Sequence, residues 1–307
     1  MSRGADSGLD GIVLIDKPAG WTSHDVVAKA RRITGQRKIG HTGTLDPMAT
    51  GLLVLCLGRA TRLVEYLTGH DKRYTGTIVL GRTTTTDDAE GETVAESPVG
   101  PLDVETLERH LQEFRGPILQ TPPAFSALKV AGRRAYDMAR KGEAPELAQR
   151  PVTVHAFAAA IAGPAALDVD VRCSAGTYIR SLARDLGASL GYGGHLGALR
   201  RHEAGPFSVA EATTLEGLEA AAAAGTVANL LLAPDDGILE IDAAILGRAG
   251  VDAVTHGVAW EAPGGALRAA DPVRIYADSG EFVGVGSVSS LGQIRPRKVF
   301  LSGNSEK

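Results

Sequence analysis

The most chemically pointed stretch of the chain is Gly40-His41-Thr42-Gly43-Thr44-Leu45-Asp46-Pro47-Met48-Ala49-Thr50-Gly51. Glycines and a proline bracket one carboxylate, and the run then enters the wholly apolar segment Leu52 to Leu57. Glycine admits φ > 0 and lets another backbone come close, while Pro47 steers Asp46 toward an extended conformation. Such a loop presents a single acid rigidly at the end of a sheet, as a carboxylate nucleophile requires. The same Asp-Pro pair also suits an Asx turn that only caps a loop. Tyr74 opens an apolar strand, where its ring either meets a ligand or packs. Arg180 stands at a helix start, where a cation opposes the macrodipole, so a buried carboxylate partner is the better physical reason for it. His41, taken alone, fits a turn or the surface as well as a site.

These residues are held by elements that periodicity makes visible. Gly11 to Ile15 is a short apolar strand ended by the turn Lys17-Pro18-Ala19-Gly20. Thr22 or Ser23 caps a helix with Val26, Ala30 and Ile33 on one face, closed by Gly35. Strands follow at Leu52 to Leu57 and Tyr74 to Leu80, and the Thr- and acid-rich run from Thr83 to Pro98 reads as a loop. Val104, Leu107, Leu111 and Phe114 share a helix face that Asp103 caps. Residues 121–151 carry prolines, glycines and cations and read as an inserted arm. Leu167, Val169, Val171 and Cys173 alternate with Asp168, Asp170, Arg172 and Ser174, which favours an antiparallel or mixed sheet over a buried parallel one. A helix then begins near Ile179, and an Ala-rich helix is expected over Leu215 to Leu232. Pro234-Asp235-Asp236-Gly237 is a linker, beyond which short strands include a hairpin over Val273–Ala277 and Phe282–Val288.

Composition narrows the class. The 307 residues suffice for a large domain and a smaller one. Two cysteines argue against a disulfide framework and for a reducing compartment, and the eight histidines lack metal-ligand spacing. The first ten residues have no apolar core of a signal peptide, and no apolar run is long enough to span a bilayer. A soluble, cytoplasmic chain is expected. The net charge is −4, yet Lys29 to Arg73 holds nine Lys/Arg against three Asp/Glu, whereas Asp87 to Glu113 holds nine Asp/Glu against Arg109. Segregation of this kind leaves room for a basic face that meets phosphates, or for solvated charge with no partner.

The Gly40–Gly51 loop resembles the catalytic loop of the bacterial tRNA pseudouridine-55 synthases, the TruB family. Five further segments are similar to that family and occur in its order. They are Gly11 to Ser23, Lys72-Arg73-Tyr74 with Gly81 to Asp87, Gln120 to Lys129, Gly176 to Leu182, and Leu199-Arg200-Arg201 with Gly205-Pro206-Phe207. The resemblance covers about residues 11–207. It implies an α/β pseudouridine-synthase fold: a large mixed, mainly antiparallel sheet flanked by helices, plus a small C-terminal PUA-like β-barrel. The expected division is a catalytic domain over residues 1–237 and an RNA-binding unit over residues 238–302.

The resemblance also implies roles. Asp46 is the nucleophile, Tyr74 stacks on the target base and takes up a proton, and Arg180 pairs with Asp46. Tyr178 and Leu199 line the uracil pocket, His41 fills the space of the extruded nucleotide, and Lys17 and Pro18 sit beside the pocket floor. The substrate would be the T-arm stem-loop of tRNA, modified at position 55 by a monomer without a protein partner. Moving a sugar from N1 to C5 of uracil changes no oxidation state, so no cofactor or metal is expected. Phosphates would be met by Lys29, Arg31, Arg32, Arg59, Arg62, by Lys129, Arg133 and Arg134 of the arm, and by Arg295, Arg297 and Lys298. A guide-RNA-dependent relative that lacks the arm is the rival within the superfamily; an RNA-folding factor that needs no carboxylate is the rival outside it.

Overall fold

The computed structural model describes residues 8–126, 147–262 and 269–301, together with the backbone of residues 129–130 and 133–134. The chain begins with β1 (Gly11–Lys17), α1 (Ser23–Thr34), β2 (Ile39–His41), β3 (Thr50–Leu57) and a single helical turn α2 (Val64–Leu67). It continues with β4 (Lys72–Leu80), the small hairpin β5 (Arg82–Thr84) and β6 (Thr93–Glu96), α3 (Val104–Gln112) and β7 (Gly116–Gln120). A two-stranded ribbon, β8 (Lys129–Val130) and β9 (Arg133–Arg134), precedes the long pair β10 (Arg150–Gly163) and β11 (Ala166–Cys173). Next come α4 (Ile179–Ser189), β12 (Gly194–Ala204), β13 (Phe207–Ser208) and α5 (Leu215–Ala223). The last part holds β14 (Ala243–Leu246), α6 (Arg248–Thr255), β15 (Trp260–Glu261), β16 (Ala270–Ala277), β17 (Phe282–Val288) and β18 (Gln293–Val299).

The large sheet has the order β1-β3-β12-β4-β11-β10-β7, with β2 and β13 attached at β3 and β12. Only β3 and β12 run parallel, so the sheet is mixed and mainly antiparallel, as expected. The unbroken apolar run of β3 has a direct cause. Leu52, Val54 and Cys56 enter one core, while Leu53, Leu55 and Leu57 enter another, so both faces are dry. Strand β1 divides in the same way, Ile12 and Leu14 against Val13 and Ile15. Each such side chain contributes about 1.5–3 kcal/mol when fully buried. A third core lies under α3 and α4 and contains Tyr74, Ile78, Val169, Val171, Leu182 and Leu186.

Helix α1 starts in a capping box, Thr22 accepting from Asp25 N–H, and stops at Gly35 with φ 67°. Asp103 caps α3 by accepting from Thr106 N–H at 2.7 Å. Two sequence expectations need correction. The run Thr83 to Pro98 is not only loop, because β5 and β6 pair within it. The Ala-rich helix ends at Ala223, where Gly225 at φ 71° reverses the chain and Val227–Leu230 resumes as a 3₁₀ turn. Strands β10 and β12 replace stretches that gave no clear signal. Most of the arm expected over residues 121–151 lies outside the described residues. Among the described residues, no helix is long and apolar enough to cross a membrane.

The C-terminal five-stranded sheet has the order β14-β16-β17-β18-β15 and its own core around Leu246, Ile275 and Ile294. It docks beside the large sheet through Val285 and Phe300, which join Leu63 and Leu67 in one apolar cluster. Around that cluster, Arg62 donates to the Val299 carbonyl at 2.6 Å, and Arg59 binds both Asp10 and the Phe300 carbonyl. Lys298 pairs with Glu65 at 2.9 Å and Arg297 with Asp271 at 2.5 Å.

Candidate active site

Asp46 opens a β-turn, its carbonyl accepting from Ala49 N–H at 3.1 Å with Pro47 at the second position. The loop around it is pinned from several sides. Ser23 is buried; its hydroxyl donates to the Leu45 carbonyl at 3.1 Å and accepts from Leu45 N–H at 2.8 Å. Gly20 N–H reaches the Pro47 carbonyl at 2.8 Å. Lys17 is fully buried, and its ammonium donates to the carbonyls of Pro18, Trp21 and Pro47 at 2.9, 2.7 and 3.2 Å. The Lys-Pro pair thus staples the end of β1 to the Asp46 turn. Burial pulls the Lys17 pKa down to about 8, against the opposing pull of Asp46 and Glu90. At Gly51, φ is 96° and a Cβ would stand 2.2 Å from the Arg201 carbonyl, so only glycine lets β3 begin there.

Arg180, the second residue of α4, faces Asp46. Its Nε lies 3.0 Å from Asp46 Oδ2, and its Nη2 donates to Asp46 Oδ1 at 3.1 Å. The same guanidinium donates to the carbonyls of Thr86 and Phe125 and stands 3.3 Å from Asp88 Oδ2. Arg180 and Asp88 side chains are only 5% and 4% exposed, whereas Asp46 keeps 32%. One carboxylate therefore anchors the arginine from behind, and the other is offered to the solvent side. The cost of a cation in the first turn of α4 is offset by these two charges. Burial raises the Asp46 pKa; Arg180 opposes the rise, and Asp88 adds to it. The pairing expected to keep Asp46 ionised is thus outweighed by desolvation.

Asp88 was not singled out by the sequence reading, because it sits in the acidic run taken as a solvated loop. Thr86 donates to it at 2.5 Å and Glu90 N–H at 3.0 Å. Its neighbour Asp87, at φ 60°, binds Arg184 at 2.8 Å. A non-glycine residue in that conformation is a local cost that such a site bears.

Tyr74 is buried in β4 with Leu45 and Leu199 in the same core, on the face of the sheet that carries α4. Burial raises the pKa of its phenol, which stays protonated near neutrality; Arg201 partly counters this. His41 is partly buried, its ring edge-on to His24 at 5.6 Å, and its Nδ1 has no hydrogen-bond partner. Burial, then His24 and Arg201, lower its pKa, so it is neutral at pH 7. Tyr178 exchanges two backbone hydrogen bonds with the Gln120 amide, and Arg150 stacks over its ring at 4.4 Å. Leu199 lies in β12 beside Gly76, where a Cβ would come within 3.4 Å of its methyl.

A family model described as the TruB family pseudouridylate synthase N-terminal domain matches residues 31–179. Two TruB C-terminal domain models match residues 180–245 and 246–300. The tRNA pseudouridine synthase B of a Synechococcus strain is 44% identical over 95% of this chain and 99% of its own. That of Thermobifida fusca is 55% identical over 69% of this chain and 75% of its own. The chain belongs to the TruB family of pseudouridine synthases. Among solved structures, an H/ACA RNP bound to a substrate RNA containing 2′-deoxyuridine has TM-score 0.74 at 26% identity. It covers 96% of this chain and 86% of the neighbour. A Cbf5-Nop10-Gar1 complex has TM-score 0.73 at 27% identity, with the same coverage. The sheet of this TruB-family chain and its curled C-terminal sheet accord with that architecture, the latter fitting a PUA-like unit.

Several cations expected at phosphates are engaged elsewhere in this TruB-family chain. Arg59, Arg62 and Lys298 hold the seam between the two sheets, Arg297 pairs with Asp271, and Lys29 pairs with Glu219 at 3.1 Å. Arg31, which donates to the Ile39 carbonyl at 2.7 Å, borders with Arg37 and Lys38 an open hollow of about 540 Å³ beside Gly40. The side chains of Lys129, Arg133 and Arg134 lie outside the described residues.

Proposed function

We propose that this chain converts a uridine of tRNA to pseudouridine at position 55 of the T-arm loop, with Asp46 as the attacking carboxylate. The observation that carries the reading is the asymmetric clamp on Arg180, in which buried Asp88 fixes the guanidinium and part-exposed Asp46 is left facing outward. The names of the relatives point to tRNA. The reaction breaks the bond between N1 and the sugar, turns the uracil, and rejoins the sugar to C5, the C5 proton leaving while N1 takes one up. It is balanced within the nucleoside, so the chain's own groups suffice. Asp46 supplies the carboxylate, and Arg180 orients it. Tyr74 offers its ring to the base face and a hydroxyl that handles the C5 proton, while Leu199 and Tyr178 close the apolar walls.

The target uridine has to leave its stack, at about a few kcal/mol. Neutral His41, at the rim of the same loop, is placed to fill the vacated space. Lys17 and Pro18 act from beneath by holding the turn. The catalytic part is assigned to residues 1–237 and the RNA-binding unit to residues 238–302, working as a monomer in the cytoplasm. Incubation of the purified chain alone with unmodified tRNA, followed by mapping of pseudouridine, tests the reading. Product at a single T-loop uridine is the expected result. The similarity to an H/ACA RNP and to a Cbf5-Nop10-Gar1 complex favours one alternative, a subunit that modifies RNA only with a guide. That alternative predicts no product until guide RNA is added.

A further inference from the structure

Arg201 of β12 is buried at 2% exposure and, among the described residues, no carboxylate pairs with it. A buried guanidinium without a counter-charge is costly, and it persists only where hydrogen bonds and a task hold it. Its hydrogen bonds go to two places. Nη2 donates to the Gly43 carbonyl at 3.0 Å, and Nε donates to the Leu52 carbonyl at 2.7 Å. Those carbonyls stand on either side of Asp46, one before the turn and one just after Gly51. A single planar fork therefore closes the loop that carries the carboxylate.

The register of the sheet places the same residue directly opposite Tyr74 on β4. Its backbone also crosses Gly51 so closely that no side chain fits there. A second buried cation, Lys72, lies below and is held by the carbonyls of Thr68 and His70 at 2.8 and 2.6 Å. Two buried cations, Arg201 and Lys72, thus lie beside the Asp46 loop and Tyr74, and Asp71 acts on Lys72 from the turn before β4.

We propose that Arg201 is a positioning residue of the reaction, which locks the Asp46 loop to Tyr74 and presents a fixed positive charge to the phenol oxygen. The proposal rests on the reading of Asp46 and Tyr74 as the reacting groups. The charged and titratable groups that act on Tyr74 are Arg201 from β12, Cys173 from β11 and Asp46 from the loop. Of these only Arg201 is a cation, so it lowers the phenol pKa while burial and the other two raise it. A phenol that must shed and regain a proton needs such a charge nearby, and a staple alone does not.

The two functions separate in two variants. Arg201→Gln keeps an amide donor and removes the charge; Arg201→Lys keeps the charge and removes the fork. The free protein is titrated by ultraviolet phenolate absorbance, with Tyr74→Phe subtracted, so this readout needs neither RNA nor turnover. In Arg201→Gln the Tyr74 titration moves up by about one pH unit or more, and the single-turnover rate falls at least tenfold with RNA affinity unchanged. In Arg201→Lys the titration stays near wild type while the rate still falls, because lysine cannot bridge both carbonyls. A Tyr74 titration that is the same in Arg201→Gln as in wild type overturns the electrostatic part. An Arg201→Lys variant with the wild-type rate overturns the locking part. If Arg201→Gln fails to fold, the proposal stands or falls on Arg201→Lys, read by the same two measurements. Loss of pseudouridine formation in the wild type would instead overturn the functional reading and leave the titration result untouched.

Discussion

The central sheet carries two arginine–carboxylate clusters on opposite faces, and they behave in opposite ways. On the face with α4, Arg180 is enclosed between Asp46 and Asp88. On the other face, Arg73 binds Asp170 at 2.6 Å and Glu203 at 3.5 Å, with all three side chains about two-fifths exposed. The second pairing has the shorter contact, yet it only lowers the Asp170 pKa, the hydrogen bond to Arg73 being the main cause. At Asp46 desolvation wins and the pKa rises. An exposed pair keeps its carboxylate readily ionised; a pair with one dry partner and one part-exposed partner holds a carboxylate whose ionisation burial opposes. A hollow of about 670 Å³ opens beside Thr75, Thr77, Asp168 and Asp170, and Met48 and Leu199 line it as well.

The contrast is broken most severely at the carboxylates. Asp46→Asn is nearly isosteric and should leave RNA affinity intact while lowering single-turnover pseudouridine formation by at least about a thousandfold, roughly 4 kcal/mol of barrier. Asp170→Asn should leave the same rate within about twofold. Equal losses in the two variants would show that burial does not distinguish the clusters.

Arg180→Lys ranks next. Lysine cannot meet Asp46, Asp88 and the carbonyls of Thr86 and Phe125 together, so a loss of about a hundredfold or more is expected in the chemical step. Arg73→Lys on the opposite face should be silent, and rapid-quench kinetics on both variants decides the point. Tyr74→Phe should bind RNA normally and lose about tenfold or more in rate, because the ring stays and the hydroxyl goes. Near-normal turnover would leave Tyr74 as a stacking platform only.

The smallest effect has a sign that differs between faces. The folded-state pKa of Asp46 is raised, so its ionisation opposes folding: stability falls as pH rises through that pKa. Asp46→Asn should therefore be at least as stable as wild type at pH 7, with the difference vanishing in acid. The Asp170 pKa is lowered, so its contribution is present above the ordinary carboxylate pKa and is lost as pH falls through the folded value. Asp170→Asn should lose no more than about 1 kcal/mol at pH 7, as exposed pairs do. Urea titrations of both variants across pH give the two slopes, and slopes of the same sign would refute the comparison.

The first of these clusters was partly legible in the sequence, and the reason is local. Asp46 is bracketed by glycines and Pro47, and Arg180 follows a turn into an amphipathic helix, so backbone chemistry announces both. Asp88 is announced by nothing nearby; its role arises from β5, β6 and α4 meeting in space. Strand β10 contains Ala156, Ala158, Ala159 and Ala160, which have little strand propensity, and it is held by pairing with β7 and β11. Strand β12 has register shifts near Gly197 and His202 that break its alternation. The capped helices α1 and α3 and the hairpin of β16 with β17 were legible because their signals are contiguous. For Arg59 and Arg62, expected at phosphates, a charge count does not reveal the Phe300 and Val299 carbonyls to which they donate across more than 230 residues.

Those two arginines also bear on how the chain can change over generations. They grip the C-terminal unit through the carbonyls of Val299 and Phe300, and every residue type offers a carbonyl. A seat that reads main chain tolerates drift in the side chains it holds. The terminal unit is therefore free to diverge in its outward surface, and in whatever that surface touches, without being released from the large sheet.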